Sequence, residues 1–185
     1  MQFFTKLATF AAAAAAVVNA TNTVTFVSQD STSRKIIFTP SIGHEEINSI
    51  TVGGQATETV EFPTGWIGNW FAQCDGSSNT LGMLGEVTFQ GWNDITYFDV
   101  SAIVDSSDHN GVHMMWPASE NSASTKSKMS GCEVFPCNTA YYLADDVQTV
   151  TTTETALYCT LGTQTSSTEK RDTPLVGRNF VLGKL

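Results

Sequence analysis

The chain has 185 residues, of which 18 are Asp or Glu and nine are Lys or Arg, so that its formal charge at pH 7 is −9. Nucleic acids and anionic membrane surfaces are bound through basic patches, and this acidic balance argues against both as partners. Neutral or cationic partners remain.

The first 20 residues, MQFFTKLATFAAAAAAVVNA, have the features of a secretory signal peptide. Lys6 precedes an apolar run from about Leu7 to Val18, and the small residues that follow predict cleavage after Ala20. The run is shorter than the roughly 20 residues that cross a bilayer. We therefore expect a secreted, extracellular protein without a membrane span, for which sugars are the obvious neutral polymers.

The rest of the chain contains short segments rich in Val, Ile, Thr and Phe, separated by turn residues, and such segments predict strands. In chain order they read TNTVTFVSQD, SRKIIFTPSI, INSITVGG, ATETVEFPTGWIGNWFAQCDG, MLGEVTF, ITYFDVSAIV, GVHMMWPAS and VTTTETALYCTLG. Only NTAYYLADDVQT is compatible with a short helix. The pattern predicts a single all-β domain over residues 21–162, built as an antiparallel β-sandwich.

The four cysteines predict disulfides, because an even number in an exported chain is typical of them, although four cysteines allow three pairings. We favour Cys132–Cys137 as a local loop, since GCEVFPC contains turn residues, and Cys74–Cys159 as a long-range link. Neither the C-x4-C spacing nor the H-x3-H pair, His109 and His113, matches a recognised metal site in this turn-rich context. We expect no metal and no cofactor.

Residues 163–185 differ in composition from the domain. They open with a polar Ser/Thr stretch and contain a dibasic pair, Lys170 and Arg171. This pair is a candidate processing site in an exported chain, and a solvated charged tail is the alternative. The final NFVLGKL is more apolar than a disordered tail should be and is compatible with docking on the domain as a strand.

MLGEVTF and ITYFDVSAIV are the clearest strands, and the turn GWND joins them. If Gln90 and Ile95 close this hairpin, Glu86 lies directly opposite Asp99, and both lie on the face away from the apolar side chains. Facing carboxylates destabilise each other and raise one pKa, which a general acid needs. The pair therefore predicts a site, with a solvated face of no special role as the alternative.

Other candidates surround this pair. Asp105 shares the face of Asp99 but lies six residues further on, about 20 Å along a straight strand, so it joins only if the chain bends. Tyr97 and Ser101 share the same face and are candidate substrate-binding residues. Trp92, in the hairpin turn, is the best candidate for stacking on a sugar ring.

The segment GWIGNWFAQCDG…NTLGMLGEVTFQGWNDITYFDVSAIVDSSDHNGVHMMWP resembles the thaumatin-like family, in which strands reading roughly T-L-A-E-F/V-T-F and Y-D-V-S-L-V-D-G-F-N follow each other. The match covers about residues 65 to 117. The downstream sequence resembles the small acidic secreted fungal members, which are germination-associated, wall-linked and antigenic. The resemblance implies a thaumatin-like β-sandwich with a reduced, disulfide-stapled loop domain.

The resemblance also implies an acidic cleft that binds β-1,3-glucan. Its acids correspond to Glu86, Asp99 and Asp105, with Asp75 as the fourth. The cysteines are far fewer than in the larger members, and no residue corresponds to the family's cleft Arg. These departures argue more strongly against hydrolysis than against binding, because catalysis needs carboxylates that neighbouring residues hold in position.

Three functions follow as expectations. The first is a cell-wall protein that binds β-1,3-glucan or another wall polysaccharide through the cleft, in wall remodelling or germination. The second is a noncatalytic secreted antigen, adhesin or effector that contacts a surface protein of a host or competitor. The third is a weak endo-β-1,3-glucanase or an antifungal protein, with Glu86 as general acid and Asp99 or Asp105 as base or nucleophile.

Overall fold

A computed structural model describes residues 21–74, 76, 82–123 and 126–163 of the chain. The predicted signal peptide, Asp75 and the predicted tail with its dibasic pair lie outside the described residues, apart from Thr163. Within the described ranges, no helix is long and apolar enough to cross a membrane.

Strands dominate the described part of the chain, accompanied by 3-10 turns at Trp92–Asp94 and Ala118–Glu120. The strands are β1 (Asn22–Ser28), β2 (Arg34–Pro40), β3 (Ile50–Val52), β4 (Thr57–Phe62), β5 (Ile67–Cys74), β6 (Leu84–Thr88), β7 (Thr96–Ser101), β8 (Val112–Pro117), β9 (Ser130–Gly131), β10 (Val150–Thr152) and β11 (Ala156–Leu161).

The strands form two sheets. Sheet A has the order β4-β1-β11-β8-β9, and sheet B has the order β10-β7-β6-β5-β2-β3. All strand pairs are antiparallel except β1 with β11, which run parallel. The prediction of an all-β sandwich is confirmed.

The core lies between the sheets and is built by alternation, since every second side chain of a strand points inward. Trp66 and Trp70 are fully buried in it. Trp70 packs over Gly85, where an added Cβ would approach the indole to 2.6 Å, so a glycine is required there. The neighbour of Gly85 on β6, Glu86, consequently faces away from the core.

The predicted helix in NTAYYLADDVQT is wrong. The carboxylate of Asp146 accepts hydrogen bonds from the backbone N–H groups of Tyr142 and Leu143, at 2.8 and 2.9 Å, which holds a turn. Tyr141 instead forms an isolated bridge with Ser101 at the end of β7. Side-chain-to-backbone hydrogen bonds of this kind compete with helix formation.

The structure confirms one predicted disulfide and contradicts the other. Cys132 and Cys137 are bonded, whereas Cys74 and Cys159 are both free thiols. Cys159 is buried in the core beside Trp70, and this burial raises its thiol pKa to about 12. Cys74 lies four residues beyond Trp70 on β5, roughly 13 Å along the strand, which separates it from Cys159.

Candidate functional site

The predicted hairpin register is confirmed, because Glu86 on β6 is the direct partner of Asp99 on β7. The turn closes where the backbone N–H of Gly91 donates to the carbonyl of Ile95 at 2.8 Å. Asn93 takes a positive φ of 59°, a conformation that Asn tolerates better than most residues. The turn therefore fixes which residues face each other.

The carboxylate pair belongs to a row of polar residues that crosses sheet B on its outer face. Thr39 on β2 is paired with Asn69 on β5, Asn69 with Glu86, and Glu86 with Asp99. Thr149, just before β10, extends the row, because its hydroxyl donates to Asp99 Oδ2 at 3.4 Å. The sheet pairing thus places side chains from five segments in one line.

A cleft of about 300 Å³ lies over the part of this row from Asn69 to Thr149, and we call it the acidic groove. It is lined by Ser41, Ile67, Gly68, Asn69, Glu86, Val87, Thr88, Tyr97, Asp99 and Thr149. No Lys or Arg is among these described lining residues. The two carboxylates therefore have no cationic side chain in the groove to compensate their charge.

Both carboxyl groups have raised pKa values. Burial raises the pKa of Asp99 most, and the charge of Glu86 adds to it, so that this pKa reaches about 7. The hydrogen bond from Thr149 acts in the opposite direction. Burial also raises the pKa of Glu86, although its hydrogen bond with Asp99 lowers it. The pair therefore shares a proton near neutral pH, as close carboxyl pairs do.

The structure does not bring Asp105 to the groove. β7 ends at Ser101, and Asp105 Oδ1 accepts hydrogen bonds from the hydroxyl and the backbone N–H of Ser107, at 2.6 and 3.0 Å. These bonds hold the pKa of Asp105 below its usual value. Asp105 stabilises a turn, and its prediction as a cleft acid is wrong.

The predicted substrate-binding residues differ in their position relative to the acidic groove. Tyr97 lines the groove. Ser101 does not, because it is only 2% exposed under the bridge to Tyr141. Trp92 is 77% exposed in the hairpin turn, where its carbonyl accepts a hydrogen bond from the Tyr97 hydroxyl at 3.3 Å. Trp92 therefore lies next to the groove and is not part of its lining.

Among the polar lining residues, the sequence analysis missed Ser41, Asn69, Thr88 and Thr149. Asn69 could have been found by extending the β6–β7 pairing to β5, because Asn69 alternates with two buried neighbours, Gly68 and Trp70. Thr149 gave no such signal, since it is 50 residues from Asp99 in the chain.

No cluster of three His, Cys, Asp or Glu side chains that could hold a metal ion is found among the described residues. The H-x3-H pair forms an internal contact, in which His113 Nε2 donates to the carbonyl of His109 at 3.1 Å. His113 is 1% exposed and packs edge-on against Phe135. Its role in the structure is packing.

Comparison with known proteins gave no matching family model. The antigenic protein SchS21 of Stachybotrys chartarum is 51% identical to this chain over 139 residues, which covers 75% of the chain and 93% of that protein. The protein elicitor MoHrip2 from Magnaporthe oryzae has a similar crystal structure, with a TM-score of 0.52 at 14% identity, covering 76% of this chain and 98% of that one.

The thaumatin-like assignment is wrong. The fold is shared with MoHrip2, and the sequence relationship is with SchS21, over most of the length of both chains. Half-buried strands favour the same residue types in unrelated folds, so strand motifs of this kind do not by themselves define a family. The chain belongs to the family of the antigenic protein SchS21.

Proposed function

We propose that this protein is a noncatalytic secreted protein of the antigen or effector type, which acts by binding a partner from another organism in the acidic groove. The observation that carries the proposal is the facing Glu86–Asp99 pair, which no cation in the groove lining compensates. Kinship with an antigenic protein supports the proposal, as do the signal-like N-terminus and the fold shared with an elicitor.

The geometry of the pair argues against glycoside hydrolysis. Glu86 and Asp99 are direct cross-strand partners, so their side chains extend side by side from the same face of the sheet. A glycosidase instead places its two carboxyl groups on opposite sides of the scissile bond. Asp105, the other acid considered for this role, bonds Ser107 in a separate turn. A binding role is therefore favoured over a glucanase.

The partner chemistry follows from the charge of the groove. A cationic side chain, Lys or Arg, that enters the groove displaces the shared proton and pairs with two carboxylates. Complementary charge of this kind raises the association rate and selects partners. We therefore propose an extracellular protein segment that presents Lys or Arg as the occupant.

Binding of a fluorescent oligolysine peptide tests this proposal. We expect Glu86→Gln/Asp99→Asn to weaken the affinity about tenfold, the size expected for losing two partly screened ion pairs. The matched control is Glu58→Gln/Glu61→Gln, which removes the same charge from exposed positions on β4. Equal affinities for the two double variants would contradict a role of the groove. The same ranking should hold for labelled protein on cells of another organism.

A wall polysaccharide, such as β-1,3-glucan, is a second candidate partner, and a location at the cell wall would follow from it. The observation that favours it is the exposed side chain of Trp92, whose backbone carbonyl bonds the groove residue Tyr97. Aromatic faces of this kind stack on apolar sugar surfaces. We expect Trp92→Ala to abolish sedimentation with insoluble glucan, whereas Val147→Ala, which removes another exposed apolar side chain, should not. Unchanged sedimentation of Trp92→Ala removes this candidate.

A further inference from the structure

A second cavity lies on the opposite side of the molecule from the acidic groove, against the outer face of sheet A. Its volume is about 580 Å³, within the range of small-molecule sites. The disulfide loop, residues 131–139, and the segment before it border the cavity on one side, and outward side chains of β1, β8 and β11 border it on the other.

The lining of this cavity is mainly apolar. Met114 and Trp116 of β8 are 7% and 6% exposed, but neither belongs to the core between the sheets. Val27, Met129 and the Cys132–Cys137 disulfide add further apolar surface. Apolar side chains on the outer face of a sheet are buried only where another segment packs over them. Here the disulfide loop lies over them and leaves a cavity between itself and the sheet.

Lys126 is the one cationic side chain among the described residues that line this cavity. The ammonium of Lys126 lies 4.5 Å from the centroid of the Trp116 ring, a distance at which the ring attracts it. The one salt bridge found in the described residues joins Arg34 to Asp30, so Lys126 has no carboxylate partner there. Glu133 also lines the cavity, but it is exposed, whereas Lys126 is half-buried and less screened by solvent.

Trp116 contributes a second polar feature. Its indole N–H is buried and has no acceptor among the described residues. An unsatisfied buried donor is unfavourable, and an acceptor group nearby would remove that cost. The cavity thus combines an apolar wall, an aromatic ring, an unpaired cation and a donor without an acceptor.

We infer that this cavity binds a small aromatic anion, whose ring packs against Met114 and Trp116 and whose acidic group pairs with Lys126. The site is separate from the acidic groove and takes a ligand of opposite charge. An apolar pocket with few polar groups that fix orientation is the usual form of such a site. The inference does not depend on the function proposed for the groove.

Two fluorescent probes with the same aromatic body test the inference. 8-Anilino-1-naphthalenesulfonate carries a sulfonate, and N-phenyl-1-naphthylamine is neutral. We expect the mature chain to bind the sulfonate probe at one site. Lys126→Gln should weaken the affinity for the sulfonate roughly fivefold, the size of one partly screened ion pair, and leave that for the neutral probe unchanged. Lys128→Gln, an exposed control outside the lining, should change neither.

A cavity-filling variant keeps the test independent of charge. Met129→Trp should abolish binding of both probes, while thermal unfolding verifies that each variant is folded. Failure of the native chain to bind the sulfonate probe overturns the inference. Equal affinity of Lys126→Gln and the native chain for the sulfonate probe, or unchanged binding by Met129→Trp, also overturns it.

Discussion

Two pairs of charged residues lie in sheet B and its adjoining turn, and they are built in opposite ways. Arg34 on β2 is fully buried and bonds Asp30 through two contacts of 2.7 and 2.8 Å. It also donates to backbone carbonyls of Thr32 and Asn110. Glu86 and Asp99, by contrast, carry like charges and face each other in an open groove.

The difference shows in the pKa values. The hydrogen bond from Arg34 holds the pKa of Asp30 at about 2, whereas burial and Glu86 raise that of Asp99 to about 7. The first pair is satisfied internally and stabilises the native state over most of the pH range. The Glu86–Asp99 pair has no compensating cation in the described groove lining, so binding of a cation or a proton would stabilise it. Perturbed pKa values of this kind cluster at functional sites.

The largest effect on stability is expected when the Arg34–Asp30 ion pair is broken. Arg34→Met leaves the Asp30 carboxylate unpaired, and we expect a loss of about 3–5 kcal/mol in the free energy of unfolding, measured by denaturant titration. Lys35→Met, at the exposed neighbouring position, should change stability by less than about 0.5 kcal/mol. A loss for Arg34→Met no greater than that of the control contradicts the structural role.

Neutralising one carboxylate of the Glu86–Asp99 pair should raise the free energy of unfolding, in contrast to the loss expected for Arg34→Met. The folded state holds the Asp99 proton more tightly than the unfolded state does. The contribution of this proton to the free energy of unfolding is therefore fully present below about pH 4. It is then lost as the pH rises through 7. We therefore expect Asp99→Asn to stabilise the protein by about 3–4 kcal/mol at pH 8 and to have little effect at pH 4. Urea titrations across this range measure it, and exposed Glu58→Gln should show no such trend.

A smaller change in stability is expected when the charge of Glu86, the partner of Asp99, is removed. Glu86→Gln deletes one of the causes that raise the Asp99 pKa but leaves burial, which is the larger one. We expect the Asp99 pKa to fall below 7 while staying above its ordinary value, and stability at pH 8 to rise by about 1 kcal/mol. Carboxyl NMR titration measures the pKa. An unchanged pKa would show that the two charges do not interact.

The smallest effect concerns the hydrogen bond from Thr149. This bond is long, at 3.4 Å, and favours the charged form of Asp99. Thr149→Val should therefore raise the Asp99 pKa slightly above 7 in the same NMR titration, with a change in stability below about 1 kcal/mol. Thr151→Val, at an exposed position on β10, serves as the control. A fall in the Asp99 pKa would contradict the assigned bond.

The sequence by itself determined the strands, the sandwich and the central hairpin. Alternation of apolar and polar side chains has a period of two, so the face and the partner of Glu86 followed from one turn. The Cys132–Cys137 bridge was equally local, since only four residues separate the two cysteines. Predictions of this kind need no knowledge of distant parts of the chain.

Only the tertiary structure decided the features that join distant segments. It placed Thr149 against Asp99, left Asp105 outside the groove, and kept Cys159 in the core away from Cys74. It also formed the second cavity, where Lys126 meets Trp116. Local periodicity shows which face a side chain takes, but the order of strands in a sheet and the path of its loops decide which faces meet.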